Sequence, residues 1–291
     1  MIKSFKYSRQ SLLAVLGASL SFIYSGSSYS DTELTGREIM NEVSRRHDVD
    51  SRFEINEMIL VDRSGDETRR KMRSYLKIQK DGLSKSLLIF DAPKGIKGVA
   101  CLTWERDGNN DDQWTFLPAM GNRLKRISSG KKAESNGSEE RKRGGRTNYW
   151  MGTDYTFEDL LPEKRENFRY DRQTDASWRD QPAFVIEAFP ASGEISTGYQ
   201  KRVITITKSN FFIVDVKYFA LRSGKLLKTF TVEGVKPIFE STWGAEQSIM
   251  DNRQRRSKTI INYLDQDFDP KAFSKKVFSH RYIESKKHMR R

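Results

Sequence analysis

The chain has 291 residues, a formal charge of +13, one cysteine and three histidines, with 36% hydrophobic and 11% aromatic residues. One thiol rules out an internal disulfide, and scattered histidines beside a lone cysteine leave no paired spacing for zinc. A basic balance favours anionic partners: phospholipid headgroups, an acidic protein or nucleic acid.

Residues 1–30 read as a secretory signal peptide. Lys3, Lys6 and Arg9 form a positive start without an acid, "SLLAVLGASLSFIY" is a short apolar run, and Ser28 and Ser30 precede Asp31 as small residues at a cleavage site. The run falls short of the ~20 residues that span a bilayer, and no cysteine follows it for lipid attachment. Removing those three cations takes the charge from +13 to +10. Export makes nucleic acid the weakest of the anionic partners. The mature chain is expected as one domain, 31–284, followed by a frayed basic tail, 285–291.

"LTGREIMNEVSRRH" predicts a helix: Thr35 caps it, Glu38 completes a capping box, and Ile39, Met40 and Val43 form a short apolar stripe to lay against a sheet. Strands follow. "KMRSYLKIQK" alternates Met72, Leu76 and Ile78 with Lys71, Arg73, Tyr75 and Lys77. "FFIVDVKYFA" sets Phe212, Val214, Val216 and Tyr218 against Asp215 and Lys217. "FEINEMILV", "SLLIFD", "GVACLTW", "QWTFLP", "AFVIEAF", "RVITITK", "LLKTFTV" and "TIINYL" read the same way. Hairpin-length connections such as "DRSGDE", "KDGLS" and "LRSGK" predict an antiparallel meander. "GTDYTFEDLLPEK" reads as a short helix, and "FDPKAFSKKVFSHRYIE" as a segment docking through Phe273, Val277 and Phe278. Residues 128–148 are polar apart from Ala133 and read as a basic mobile loop; from Asn122 to Arg146 nine Lys/Arg face three Glu.

Catalytic and metal chemistry find little to stand on. "DGNNDD" begins like a calcium loop but has Asp112 where glycine is needed and Pro118 where the bidentate Glu belongs. No G-x-S-x-G or phosphate-cradling glycine loop occurs. Glu158 and Asp159 are adjacent, so on a helix they would point about 100° apart instead of converging. Cys101, in an apolar run, reads as a small core residue. The basic loop lacks the interleaved aromatics of a single-strand nucleic-acid site. No enzyme, cofactor or metal is expected. A long sheet with few helices to cover it leaves either a packed core or a lipophilic groove.

Two stretches carry a resemblance. "WTFLPAMGNRLKRI" (Trp114, Phe116, Leu117, Pro118, Arg123, Arg126, Ile127) and "MGTDYTFEDL" (Gly152, Thr153, Asp154, Tyr155, Phe157, Glu158, Asp159, Leu160) resemble the paired motifs of the LolA-like outer-membrane lipoprotein-sorting family. The resemblance implies a mainly β fold with helices (α+β): a large curved antiparallel sheet forming a half-open barrel lidded by a few helices. It also implies a periplasmic carrier of a lipid or lipidated protein, many relatives being associated with inner-membrane exporters of the resistance-nodulation-division (RND) type. The link from Ile127 to Gly152 is longer and more basic than the family pattern.

On this reading the cavity-lining candidates are Leu88, Phe90, Trp114, Phe116, Phe212, Val214 and Tyr218, with strand parity leaving each face open. Pro118 ends a strand, and Arg123 or Arg126 is expected to pin a lid through Asp154, Glu158 or Asp159. The runner-up is a periplasmic sensor or adaptor that binds a protein through its basic face, and a hydrolase with an unrecognised site is third. An anionic membrane surface is a further partner of the basic face.

Overall fold

A computed structural model describes residues 33–106, 111–121, 123–127, 149–156, 158–160, 163–193, 195 and 197–290. The signal-peptide reading of 1–30 and the loop 128–148 lie outside the described residues. The helix expected at "TGREIMNEV" is α1 (Gly36–His47). The Thr35 side chain accepts from Glu38 N at 3.3 Å while the Glu38 carboxylate accepts from Thr35 N at 2.8 Å, so two orphan donors of the first turn are satisfied reciprocally. Ile39, Met40 and Val43 are buried; each side chain so removed from water contributes about 1.5–3 kcal/mol before entropy is subtracted.

The rest is sheet. The strands are β1 (Ser51–Val61), β2 (Glu67–Ile78), β3 (Ser84–Ala92), β4 (Ala100–Trp104), β5 (Asp112–Phe116), β6 (Leu124–Ile127), β7 (Phe168–Arg172), β8 (Ala176–Trp178), β9 (Gln181–Pro190), β10 (Tyr199–Thr207), β11 (Ile213–Ala220), β12 (Leu226–Phe239), β13 (Thr242–Asn252) and β14 (Ser257–Asp267). Their order is β6-β5-β4-β3-β2-β1-β14-β13-β12-β11-β10-β9-β7, with β8 beside β9. Two meanders therefore meet where β1 pairs antiparallel with β14. The β1–β2 turn shows how the connections close: Asp62 accepts from Ser64 N at 2.8 Å and Asp66 N at 3.0 Å, and Gly65 takes φ 91°.

Register fixes what each face carries. Tyr75 pairs with Leu87, Leu87 with Leu102, and Leu102 with Trp114, while Ala100 pairs with Phe116. This outer face is covered by the chain after β14, where Val277, Phe278 and Ile283 pack on it together with Phe273. The Trp104 indole donates to Phe278 O at 3.0 Å, and the His280 ring stacks on Trp104 and meets Trp114 edge-on. The expected docking through Phe273, Val277 and Phe278 is present and extends through α2 (His280–Glu284).

Three expectations change. Residues 285–290 are docked, not frayed: His288 is fully buried, its Nε2 lies 3.1 Å from Gly98 O, and its carbonyl accepts from Arg73. The polar face expected for Arg73 and Tyr75 is buried too, because that same segment covers it; Arg73 donates to both Asp91 oxygens at 2.7 and 2.8 Å. "GTDYTFEDL" forms only a 3-10 turn, Glu158–Leu160, because Thr153, Asp154 and Asp159 turn their side chains onto nearby backbone and strand groups and compete with helix formation.

Candidate functional site

The face opposite the cap bears α1 and residues 149–156 and 158–160. α1 and the aromatic side chains of the segment fill the β7–β12 half: Ile39, Met40, Trp150 and Tyr155 join Phe184, Ile186, Ile204, Val216, Tyr218 and Met250 in one core. Over β1–β5 the face stays partly open as a cleft of about 860 Å³, within the range of small-molecule sites. Its floor alternates apolar and polar groups, with Met72, Leu76, Ile78 and Leu88 beside Glu54, Ser74, Ser86, Thr103, Gln113 and Thr115. Trp150, Met151, Leu160, Phe230, Ile261 and Tyr263 supply the rest of the apolar lining, and Arg52, Asp81, Glu163, Lys164 and Glu166 supply charge. Tyr263 has its hydroxyl pushed up to about 12 by burial, so it meets the cleft as a neutral amphipathic ring. Cys101 also lines the cleft, its thiol pushed up to about 11 by desolvation, which keeps it un-ionised near neutral pH.

The segment that walls the cleft is held by charge. Asp159 accepts from Lys228 Nζ, Thr156 N (2.6 Å) and Tyr199 Oη (2.7 Å). Lys228 is fully buried, donates also to Asp154 O at 3.0 Å, and sits 5.2–5.7 Å from the ring centres of Tyr149, Tyr199 and Tyr218. Burial pulls the Lys228 pKa down while Asp159 opposes that shift. Burial pushes the Tyr155, Tyr199 and Tyr218 hydroxyls upward, so all three remain neutral donors or ring faces. Asp154 accepts from Ser257 and Thr259 and pairs with Arg255 at 3.4 Å. Glu158 takes Thr197 Oγ1 at 2.5 Å and Gly198 N at 2.9 Å, and burial raises its pKa. Gly152 supplies φ 79° after Met151 at φ 48°, the turn that brings these acids onto β12–β14.

The expected pin thus exists with other partners. Arg126 pairs with Asp112 across the β5–β6 pair, and Arg123 is exposed. The cause is position: β6 lies at the far edge of the sheet, whereas the acids reach the middle strands.

Of the cavity-lining candidates, Leu88 and Trp114 touch the cleft. The Trp114 ring itself packs outward against Trp104 and His280. Phe116 points to the outer face beneath the cap, one residue out of phase with Thr115. Phe90 and Tyr218 are buried in the main core, and Val214, with Phe212, packs with Val232 and Ala245; none of these candidates lines the cleft. Pro118 opens a single 3-10 turn after β5. Sequence reasoning missed Lys228, although its phase with Phe230 and Val232 along β12 places it on a buried face. It also missed Trp150 and Met151, which no periodic segment contains.

The comparisons with known proteins follow this geometry. A family model described as "Uncharacterized protein" matches residues 82–285, most of the chain. A crystal structure of an outer-membrane lipoprotein-sorting protein domain from Vibrio parahaemolyticus is 29% identical, covering 86% of this chain and 98% of its own, with a TM-score of 0.72. The chain belongs to the LolA-like outer-membrane lipoprotein-sorting family. Two further solved structures agree in fold. A DUF1329 family protein from Desulfovibrio piger has 21% identity, covers 85% and 97% of the two chains and has a TM-score of 0.72. A LolA superfamily protein from Nitrosomonas europaea has 17% identity, covers 86% and 99% and has a TM-score of 0.62. No curated protein sequence matches the chain. The fold is the half-open antiparallel barrel with a helical lid that the LolA-like motifs imply. The family's two central motifs fall into place on it: W-x-F-L-P forms β5 and its exit, and G-T-D-Y-x-x-E-D-L forms the latched wall.

Proposed function

We propose that this LolA-like protein is a periplasmic, non-enzymatic carrier that shelters an acyl chain of a lipid or lipidated protein in the β1–β5 cleft. The observation that carries the reading is the cleft itself, about 860 Å³ with Trp150, Met151, Leu160, Phe230 and Ile261 as apolar walls. Each sheltered methylene is worth about 0.8 kcal/mol, so a dozen would offset the cost of immobilising the ligand. Apolar contact alone supplies this energy, and no acid–base pair is needed. The periplasmic location is supported by the leader pattern of residues 1–30. The sorting role named for the Vibrio relative supports the cargo class. An RND-type exporter as donor or acceptor belongs to the same reading and is supported by the motif resemblance.

The test is native mass spectrometry with extraction of co-purified lipid, on the wild type and on Ser86→Trp, which fills the floor without adding charge. Lipid is expected in the wild type and a several-fold loss in the variant, with unfolding midpoints unchanged. A wild type that is empty in every preparation, and that carries a stable protein partner instead, would replace the carrier with the adaptor.

A further inference from the structure

The cap on the outer face divides its residues sharply. Val277, Phe278, Ile283 and His288 are buried against the sheet, while Lys275, Lys276, Arg281, Lys286, Lys287 and Arg290 are exposed. Between Pro270 and Arg290 the single acidic residue is Glu284. Among the described residues, none of those six cations forms an ion pair. Two more cations join them. Lys94 and Lys97 are exposed on the turn that leads into Gly98, which the Met289 side chain crowds so closely that an added Cβ would lie 2.7 Å from its Cε.

The cleft lining is acidic on balance, eight carboxylates against Arg52, Lys164 and Arg165. It includes exposed Asp50, Asp81 and Glu166, while Lys164 and Arg165 nearby are spent on Glu105 and Asp48. One sheet therefore separates a cationic plateau from an acid-edged cleft.

We propose that this cap is a docking surface for an anionic lipid bilayer. Exposed lysines and arginines near an anionic membrane act together within a screening length of about 10 Å, each adding about 1 kcal/mol. The sheet interposed between cap and cleft fixes the orientation: a bilayer attracts the cap, repels the acidic rim, and leaves the cleft open to the aqueous side. The surface is independent of what the cleft binds.

The test is co-sedimentation of the purified protein with phosphatidylcholine vesicles, with and without phosphatidylglycerol. The wild type is expected to bind only the phosphatidylglycerol vesicles and to be released at 1 M salt, where screening shortens to about 3 Å. Lys275→Gln/Lys286→Gln/Lys287→Gln is expected to weaken that binding about a hundredfold, with the unfolding midpoint unchanged. Lys80→Gln/Arg253→Gln/Arg256→Gln removes the same charge from exposed turns elsewhere and is expected to bind within a few-fold of wild type. Equal losses in the two triple variants would show net charge at work and overturn the docking surface. So would a wild type that ignores phosphatidylglycerol, including one that selects an acidic protein instead.

Discussion

Replacing Lys228 by methionine tests whether charge holds the cleft wall. Lys228 is fully buried and Asp159 has 2% of its side chain exposed, so neither charge has water to fall back on. At a protein-like effective dielectric, opposite charges a few ångströms apart attract by about 4 kcal/mol, and breaking a buried pair by removing one partner costs about 3–5 kcal/mol. Asp159 would retain Thr156 N, Thr156 Oγ1 and Tyr199 Oη as donors, which places Lys228→Met near the lower end. For a domain of this size, about 3 kcal/mol lowers the unfolding midpoint by roughly 6–12 °C. Asp159→Leu on its own leaves a buried ammonium that can shed its proton, because burial already pulls its pKa down. It also strips Thr156 N, Thr156 Oγ1 and Tyr199 Oη of their acceptor, so its cost is comparable. The double variant should be less destabilised than the sum of the singles by about 2 kcal/mol or more. Urea unfolding of all four proteins measures this cycle. Additivity within 0.5 kcal/mol, or a Lys228→Met midpoint within 2 °C of wild type, would refute the latch. Since Leu160 on the same segment walls the cleft, lipid retention should fall with the latch and not with stability alone. Gly36→Ala, of comparable cost but outside the cleft, is the control.

Gly36→Ala places a Cβ 2.6 Å from Tyr170 O, a backbone atom that cannot swing aside, so α1 must shift off β7. The expected loss is about 1–3 kcal/mol, read as a lowered midpoint in thermal unfolding with lipid retention kept. Stability should also fall in mild acid. His47 and His288 both have pKa values lowered, chiefly by desolvation. The unfolded chain therefore takes up protons near pH 6.5 that the folded chain refuses, and stability drops as pH falls through that value. The midpoint is expected to be lower at pH 5.5 than at 7.5, and His47→Gln/His288→Gln should flatten that difference; an unchanged slope would sink the assignment.

How much of this was legible depended on which physical signal each part carries. Helix α1 announced itself because a capping box and an apolar stripe are local. Alternation gave the strands, since period two records a face even when it does not say which one. The face is decided by what arrives later in the chain. Phe116 looked as eligible for the cleft as Leu88, and only the docking of 273–289 shows that the outer side of β2–β5 is also dry and takes Phe116 for its own core. The wall segment was harder, because its fold is written in side-chain to backbone bonds, which have no period. Asp154, Glu158 and Asp159 carried the right chemistry, and the error lay in the partner. Nearby basic residues in the sequence suggested Arg123 and Arg126, while the chain path delivered Lys228 and Arg255. Lys228 itself could have been found. A lysine in phase with Phe230 and Val232 on a strand whose neighbour presents Tyr218 must either be paired or lose its charge. Asking which acid could reach it leads to the stretch after Gly152, where Asp154, Glu158 and Asp159 cluster.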